Sequence, residues 1–311
     1  MKFTTEIAIA KSEHQLGVSD KLLLVGSCFA QEMGQWFLQR RFDVHLNPNG
    51  ILFHPMVIAR CLNRAMHRRD YEVSEWISHN GLFHSFDHHG CWSSPSGSYL
   101  RETVNEQVER TADSLAMASS LVITWGSAWG YKWSLNGQWV ANCHKIPQSN
   151  FTKELITADE IVDEYQSLFN ELWTINPSLR IIISVSPVRY WRDGAHGNQM
   201  SKAHLLLAAS QLAETNAQVH YFPAYEIMMD ELRDYRFYNA DMLHPSPQAV
   251  EFIIGKFREM FFSEATNIYI KKVDPIRKFL DHRPLHTQDV EWREICSAKE
   301  LELSRIRQSY A

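Results

Sequence analysis

Five short, nearly uninterrupted apolar runs stand out along the chain: 21–25 (KLLLV), 42–46 (FDVHL), 121–125 (LVITW), 180–185 (RIIISV) and 218–222 (QVHYF). Runs of this length without polar alternation predict strands buried on both faces. Segments of helical period lie between and after them, at 29–42, 103–118, 157–173, 199–214 and 246–262. Their boundaries carry chemical signals. Thr157-Ala158-Asp159-Glu160 reads as a capping box, Asn176-Pro177 ends the helix that follows, and Ser246-Pro247 supplies an N-cap and a first helical residue. Alternation of buried strands with helices predicts a three-layer, doubly wound α/β fold. Its five-stranded sheet is mostly parallel, with helices on both faces, and ligands bind beyond the carboxyl ends of the strands.

Two regions interrupt this rhythm. Residues 66–100 are rich in His, Ser, Gly and aromatics, and residues 131–143 place Asn136-Gly137 between alternating runs, a type I′ hairpin signal. No repeat or Gly/Ser linker divides the chain, so the organisation expected is one catalytic domain over 1–265, with insertions at about 66–100 and 131–156. The charged stretch 266–311 reads as an extension, helical from about 288 and packed outside as a solvated helix.

Composition narrows the function. The 311 residues are 45% hydrophobic with a formal net charge of −5, which supplies no basic excess for nucleic acid. The five cysteines form no CxxC pair, so neither a zinc site nor a disulfide framework is predicted. The first fifteen residues lack the apolar core of a signal peptide, and no stretch approaches the ~18 apolar residues of a membrane span, so the expected compartment is the cytoplasm. Ten tryptophans and fifteen histidines are the surplus, and some are expected to line a cleft.

The first apolar run ends in Gly26-Ser27-Cys28-Phe29-Ala30, where a helix begins at once. A serine at such a turn presents its hydroxyl to the ligand edge, beside backbone N–H groups that can hold an oxyanion; the alternative is an ordinary serine N-cap. After the last run comes Asn239-Ala240-Asp241-Met242-Leu243-His244-Pro245, in which Asp241 can fix the imidazole tautomer of His244. Cys28 is a weaker nucleophile candidate, because its side chain is expected to point into the sheet–helix interface. Arg189 and Arg192, in the loop after the fourth run, could clamp an anionic group; His196 could touch substrate or replace His244 as base, and an Arg–Asp network ordering the loop is the alternative. His84-Ser85-Phe86-Asp87-His88-His89 is crowded on one loop without a partner cluster, so solvent-exposed histidines are expected there and no metal.

The stretch at 26–30 is the signature of the GSCFA-domain family, and the resemblance continues at 47–52, 124–129, 140–145, 186–189, 192–198 and 241–245. That family resembles a branch of the SGNH (GDSL-type) hydrolases, whose fold is a flavodoxin-like sheet. The resemblance implies Ser27 as nucleophile, Asp241 as orienting acid and His244 as base. The oxyanion hole would use backbone N–H groups of Ser27 and Gly50. Where the SGNH pattern has G-x-N-D, this chain has Gly126-Ser127-Ala128-Trp129, and an alanine side chain cannot donate. Asn142 is slightly favoured as the replacement, with structural capping of a turn as its alternative role; Asn47 and His144 are further candidates and are also expected to contact substrate. The reading is a serine-dependent acyl-ester hydrolase that needs no cofactor. Trp129, Trp133 and Trp191 near the cleft would suit stacking on sugar rings, with ordinary packing as the alternative, so small acyl groups on a carbohydrate are the expected substrate. An acyltransferase using the same triad and a non-catalytic carbohydrate-binding protein are the rival readings.

Overall fold

The structure, a computed structural model, describes residues 4–281 and 290–310. Ten strands and nine helices follow in chain order among the described residues: β1 (Lys21–Gly26), α1 (Cys28–Gln39), β2 (Asp43–Leu46), α2 (Pro55–Met66), β3 (Ile77–His79), β4 (Leu82–His84), α3 (Gly97–Met117), β5 (Ser120–Trp125), β6 (Trp129–Trp133), β7 (Trp139–Val140), β8 (Phe151–Leu155), α4 (Ala158–Ile175), β9 (Arg180–Val185), α5 (Gly194–Thr215), β10 (Val219–Phe222), α6 (Ala224–Glu226), α7 (Pro247–Phe261), α8 (Glu264–Leu280) and α9 (Val290–Gln308). The predicted apolar runs become β1, β2, β5, β9 and β10. They form a five-stranded sheet in the order β10-β9-β5-β1-β2, parallel throughout. Reversal of strand order between β1 and β5 creates the crevice at which such sheets bind ligands.

Alternate residues of the central strands feed two cores. Leu23, Ile123 and Ile183 face the layer of α2, α4 and α5, while Leu22, Val122 and Ile182 face that of α1, α7 and α8. Burying both faces explains why these strands read as continuous apolar runs. Tyr269, Ile270, Val273 and Ile276 of α8 belong to the second core, and Leu303 of α9 joins them. α8 is tied down by bonds from Tyr269 Oη to the Arg40 carbonyl (2.7 Å) and from Arg40 Nε to Asp274 (2.8 Å). Charge alone hides this buried stripe, and Pro275 inside the helix hides its continuity.

The insertions depart from expectation in detail. β6 and β7 form the expected hairpin, and β8 adds a third strand. Its turn, however, is not type I′: Gly137 has positive φ but Asn136 does not, and Trp133 and Gln138 close a four-residue loop. Type I′ geometry occurs instead between β3 and β4, where Asn80 (φ 50°) and Gly81 (φ 74°) form a two-residue connection. α2 is absent from the predicted helices, although Pro55 at its start and the polar positions Arg60, Asn63 and Arg64 mark it.

Candidate active site

β1 ends at Gly26, whose φ is 132° and where a Cβ would lie 2.1 Å from the Thr124 carbonyl oxygen of β5. Only glycine lets β1 stay beside β5 to its last residue and then turn into α1. Ser27 follows as N-cap with extended backbone, but its hydroxyl caps nothing. Ser27 is 1% exposed and its Oγ has no hydrogen-bond partner; Thr124 Oγ1, at the end of the neighbouring strand, is likewise buried and unpartnered. A buried hydroxyl without a partner costs about 1–3 kcal/mol, so two at the ligand edge of one sheet call for a functional explanation. Because Ser27 Oγ does not cap, the first-turn amides of Cys28, Phe29 and Ala30 keep no acceptor from the helix geometry.

The Asp241–His244 loop sits across the edge. It is closed by the Tyr238–Pro245 bridge and by bonds from Asn239 N–H to the His244 carbonyl (2.8 Å) and from Ser246 N–H to the Phe237 carbonyl (2.7 Å). Asp241 Oδ1 accepts the N–H groups of Leu243 (2.9 Å) and His244 (3.0 Å), and Oδ2 meets His244 Nδ1 at 2.6 Å. The two backbone N–H groups, with the imidazole, hold the carboxyl down at about 2. An ionised carboxylate on Nδ1 keeps the proton there and leaves the Nε2 lone pair free. The His244 side chain is 42% exposed. It lines a cavity of about 340 Å³ between α1 and α7, together with Cys28, Glu32, Trp36, Val250 and Glu251. Ser27 and His244 are not hydrogen-bonded to each other.

Several expected roles change on this geometry. Cys28 does not disappear into the sheet–helix interface: it is half-exposed and lines the His244 cavity, while burial and Glu32 push its thiol pKa up, against thiolate chemistry. The Ser27 N–H is engaged by the Thr124 carbonyl (3.0 Å) and that of Gly50 by the Asn47 carbonyl (2.7 Å), so neither expected backbone donor is free. Ala128, at the departure from the SGNH pattern, is fully buried and gives its N–H to Ser201 Oγ (2.8 Å). Asn142 shapes a turn through Oδ1, which accepts the His144 N–H (2.7 Å). Its amide Nδ2 approaches Gly90, in the segment that packs on Gly50.

The expected substrate contacts are mostly internal. Asn47 accepts the Gly26 N–H (2.9 Å) and donates to Gln31 (2.9 Å), so it shapes the end of β1. His144 bonds the Ser85 carbonyl (2.7 Å) and stacks on His84, with its pKa lowered to about 4 by burial. Trp129 gives its indole N–H to the Gly197 carbonyl (3.0 Å), and Trp133 packs on Phe86 and Phe151. Trp191 is exposed but covers Arg189 rather than the His244 cavity, and Arg189 reaches the Met242 carbonyl. His196 is exposed in the first turn of α5, which starts five residues earlier than its periodicity indicates. His84 and His88, expected in solvent, are buried; His84 meets Ser93 Oγ (2.6 Å) and His88 meets Ser85 Oγ (2.7 Å).

One residue at the edge has no counterpart in the sequence reading. Lys202 of α5 is buried and donates to the carbonyls of Gly126 (2.9 Å) and Ser186 (2.7 Å), joining the ends of β5 and β9. Burial without a carboxylate lowers its pKa to about 7. Polar residues on an apolar helix face, such as Ser201-Lys202 against Leu205 and Ala209, are the signal that could have located it.

An all-parallel sheet in this order, with Ser27 after its first strand and the Asp241–His244 loop after its last, defines a doubly wound α/β protein of flavodoxin-like fold. The chain belongs to the GSCFA family, whose model matches residues 21–257. No curated protein matches it. Among solved structures it is similar to a Streptococcus pneumonia protein provisionally described as a platelet activating factor, at 9% identity and TM-score 0.41, over 78% of this chain and 84% of the other. It is also similar to a Clostridium thermocellum family 3 carbohydrate esterase (11% identity, TM-score 0.37) and to a carbohydrate esterase family 3 protein from Talaromyces cellulolyticus (10%, 0.34), each over 82% of this chain and 99% of the other. No helix among the described residues is long and apolar enough to cross a membrane.

Proposed function

We propose that the protein is a serine-dependent acyl-ester hydrolase. The observation that carries this reading is the 2.6 Å Asp241–His244 pair, whose imidazole lines one cavity with Cys28, the residue next to Ser27, while the Ser27 hydroxyl is buried behind that lining without a partner. His244 Nε2 takes the Ser27 proton as Oγ bonds to the ester carbonyl carbon, and the carbonyl electrons move to oxygen. The oxyanion is held by the Phe29 and Ala30 amides in the first turn of α1, which Ser27 Oγ does not cap, with the Asn142 amide in the place of the missing asparagine. Collapse expels the alkoxide, which takes the proton back from His244. Water then gives its proton to His244, attacks the acyl-enzyme and releases the acid and Ser27.

Glu32, Gln35, Gln39 and Glu251 line the cavity with carboxylates and amides. A long acyl chain would cover these groups without bonding them, whereas the hydroxyls of a sugar can pair with Glu32 and Gln35 and with the positions on Gln39 and Glu251 that Trp36, Arg40 and Arg277 leave open. The substrate class is therefore a small acyl group on a polyhydroxylated carrier. A fluorophosphonate probe is expected to label the wild-type protein and Cys28→Ala but not Ser27→Ala. Labelling that persists in Ser27→Ala would overturn the assignment.

A further inference from the structure

We propose that Arg189 is a positioning residue that holds the Asp241–His244 loop in register; this rests on the hydrolase reading only for its effect on rate. Arg189 follows β9 at the ligand edge and grips the loop twice. Its backbone N–H donates to the Leu243 carbonyl at 3.2 Å, and its guanidinium Nη2 donates to the Met242 carbonyl. Both acceptors lie between Asp241 and His244 in sequence. Met242 needs the grip, because its φ of 58° places a non-glycine residue in the left-handed region. Its side chain is 46% exposed, so burial of that side chain offers little to offset the strain.

The guanidinium is itself held. The rings of Tyr238, Trp191 and Tyr235 stand 4.8, 5.1 and 5.5 Å from its central carbon. This aromatic cage pre-orients the planar fork, which a flexible ammonium would not match. The same cage accounts for Trp191 and Tyr235, large rings left 47% and 63% exposed beside the site. Asp241 orients the imidazole from within the loop, whereas Arg189 fixes where the loop stands relative to the sheet that carries Ser27. The substrate-clamp role for which its charge recommends it is thereby replaced by a hold on the protein's own backbone.

The test pairs hydrogen exchange of peptides spanning 238–246 with p-nitrophenyl acetate turnover, in wild type, Arg189→Ala and Arg189→Lys of the full chain. Exchange in that segment is expected to rise in both variants, and kcat to fall about tenfold or more with KM within about twofold. Millimolar guanidinium is expected to restore part of the Arg189→Ala rate. Unchanged exchange overturns the proposal whatever the activity, as does a raised KM at constant kcat, which would make Arg189 a substrate contact. Faster exchange in a protein whose wild type neither turns over ester nor takes the fluorophosphonate would uphold the clamp and remove the hydrolase reading. Should Arg189→Ala fail to fold, Arg189→Lys carries the comparison.

Discussion

Asp241 gives its two oxygens different tasks, one shaping the loop backbone and one orienting the imidazole. In Asp241→Asn the amide oxygen can still accept the two N–H groups, but the NH₂ faces Nδ1 and favours the tautomer with its proton on Nε2. Ester turnover is then expected to fall roughly 10²–10⁴-fold with little change in melting temperature. A variant that keeps near-wild-type kcat would exclude the orienting role. Since the Asp241 pKa is depressed to about 2, any stabilisation it lends is present above its ordinary value near 3.8 and fades only as pH falls toward 2. An acid limb in the rate profile nearer neutrality therefore cannot be assigned to Asp241. The placement of Ser27, Asp241 and His244 at the ligand edge of the sheet was legible in the sequence, because the apolar runs show where the first and last strands stop. The protein partners of Asn47, His144 and Arg189 were not legible, because they are backbone groups and side chains brought together from different segments. No one-dimensional pattern shows which carbonyl will stand near a given guanidinium.

At the level of elements, the strands announce themselves because both faces are buried, whereas the insertions are held by polar ties that leave no periodic trace. Asp87, after β4, is the centre of one such tie. It pairs with Arg60 of α2 through Nε at 2.9 Å, accepts the Tyr71 hydroxyl at 2.9 Å and takes Gln138 Nε2 of the β6–β7 hairpin at 3.3 Å. Burial works to raise the Asp87 carboxyl, and Arg60, with smaller contributions from His88 and the Tyr71 hydroxyl, reverses it, so the net shift is downward. Removing the cation alone leaves an uncompensated buried charge. Arg60→Met is thus expected to cost about 3–5 kcal/mol in urea unfolding, and the double variant with Asp87→Asn to recover part of that loss. Strictly additive losses would show that the pair is not coupled. The tie also explains why the histidine-rich stretch is not a solvent loop: His84 and His88 are drawn inside with Asp87 and are satisfied there by serine hydroxyls. Composition signals polarity but not whether the polar groups will find one another.

For the whole molecule, the histidine surplus becomes a statement about acid stability. Burial is the leading cause of lowered pKa at six imidazoles among the described residues, His45, His220 and four with the deepest shifts, to about 3 at His54 and about 4 at His14, His88 and His144. Each of these four is neutral in the fold at pH 6, whereas an unfolded chain begins to protonate them at about 6.5. Between about pH 6.5 and 4 the unfolded state therefore binds protons that the folded state excludes. Stability must fall as pH falls through that window, at up to about 1.4 kcal/mol per pH unit for each fully excluded proton. The four residues are spread over both sheet faces and the insertions, with His14 packed beside β10 through His220 and His54 stacked on Trp139 of β7. Their protonation loads the whole fold rather than a single loop. Urea unfolding measured from pH 7 to 4.5 is expected to give a stability curve that drops steeply below about pH 6. The slope should lessen in His88→Asn, which removes one fully buried imidazole while keeping polar atoms facing Ser85 and Asn49. A flat curve across that range would mean that these imidazoles take up protons in the folded protein, and that the surplus has no hold on its acid stability.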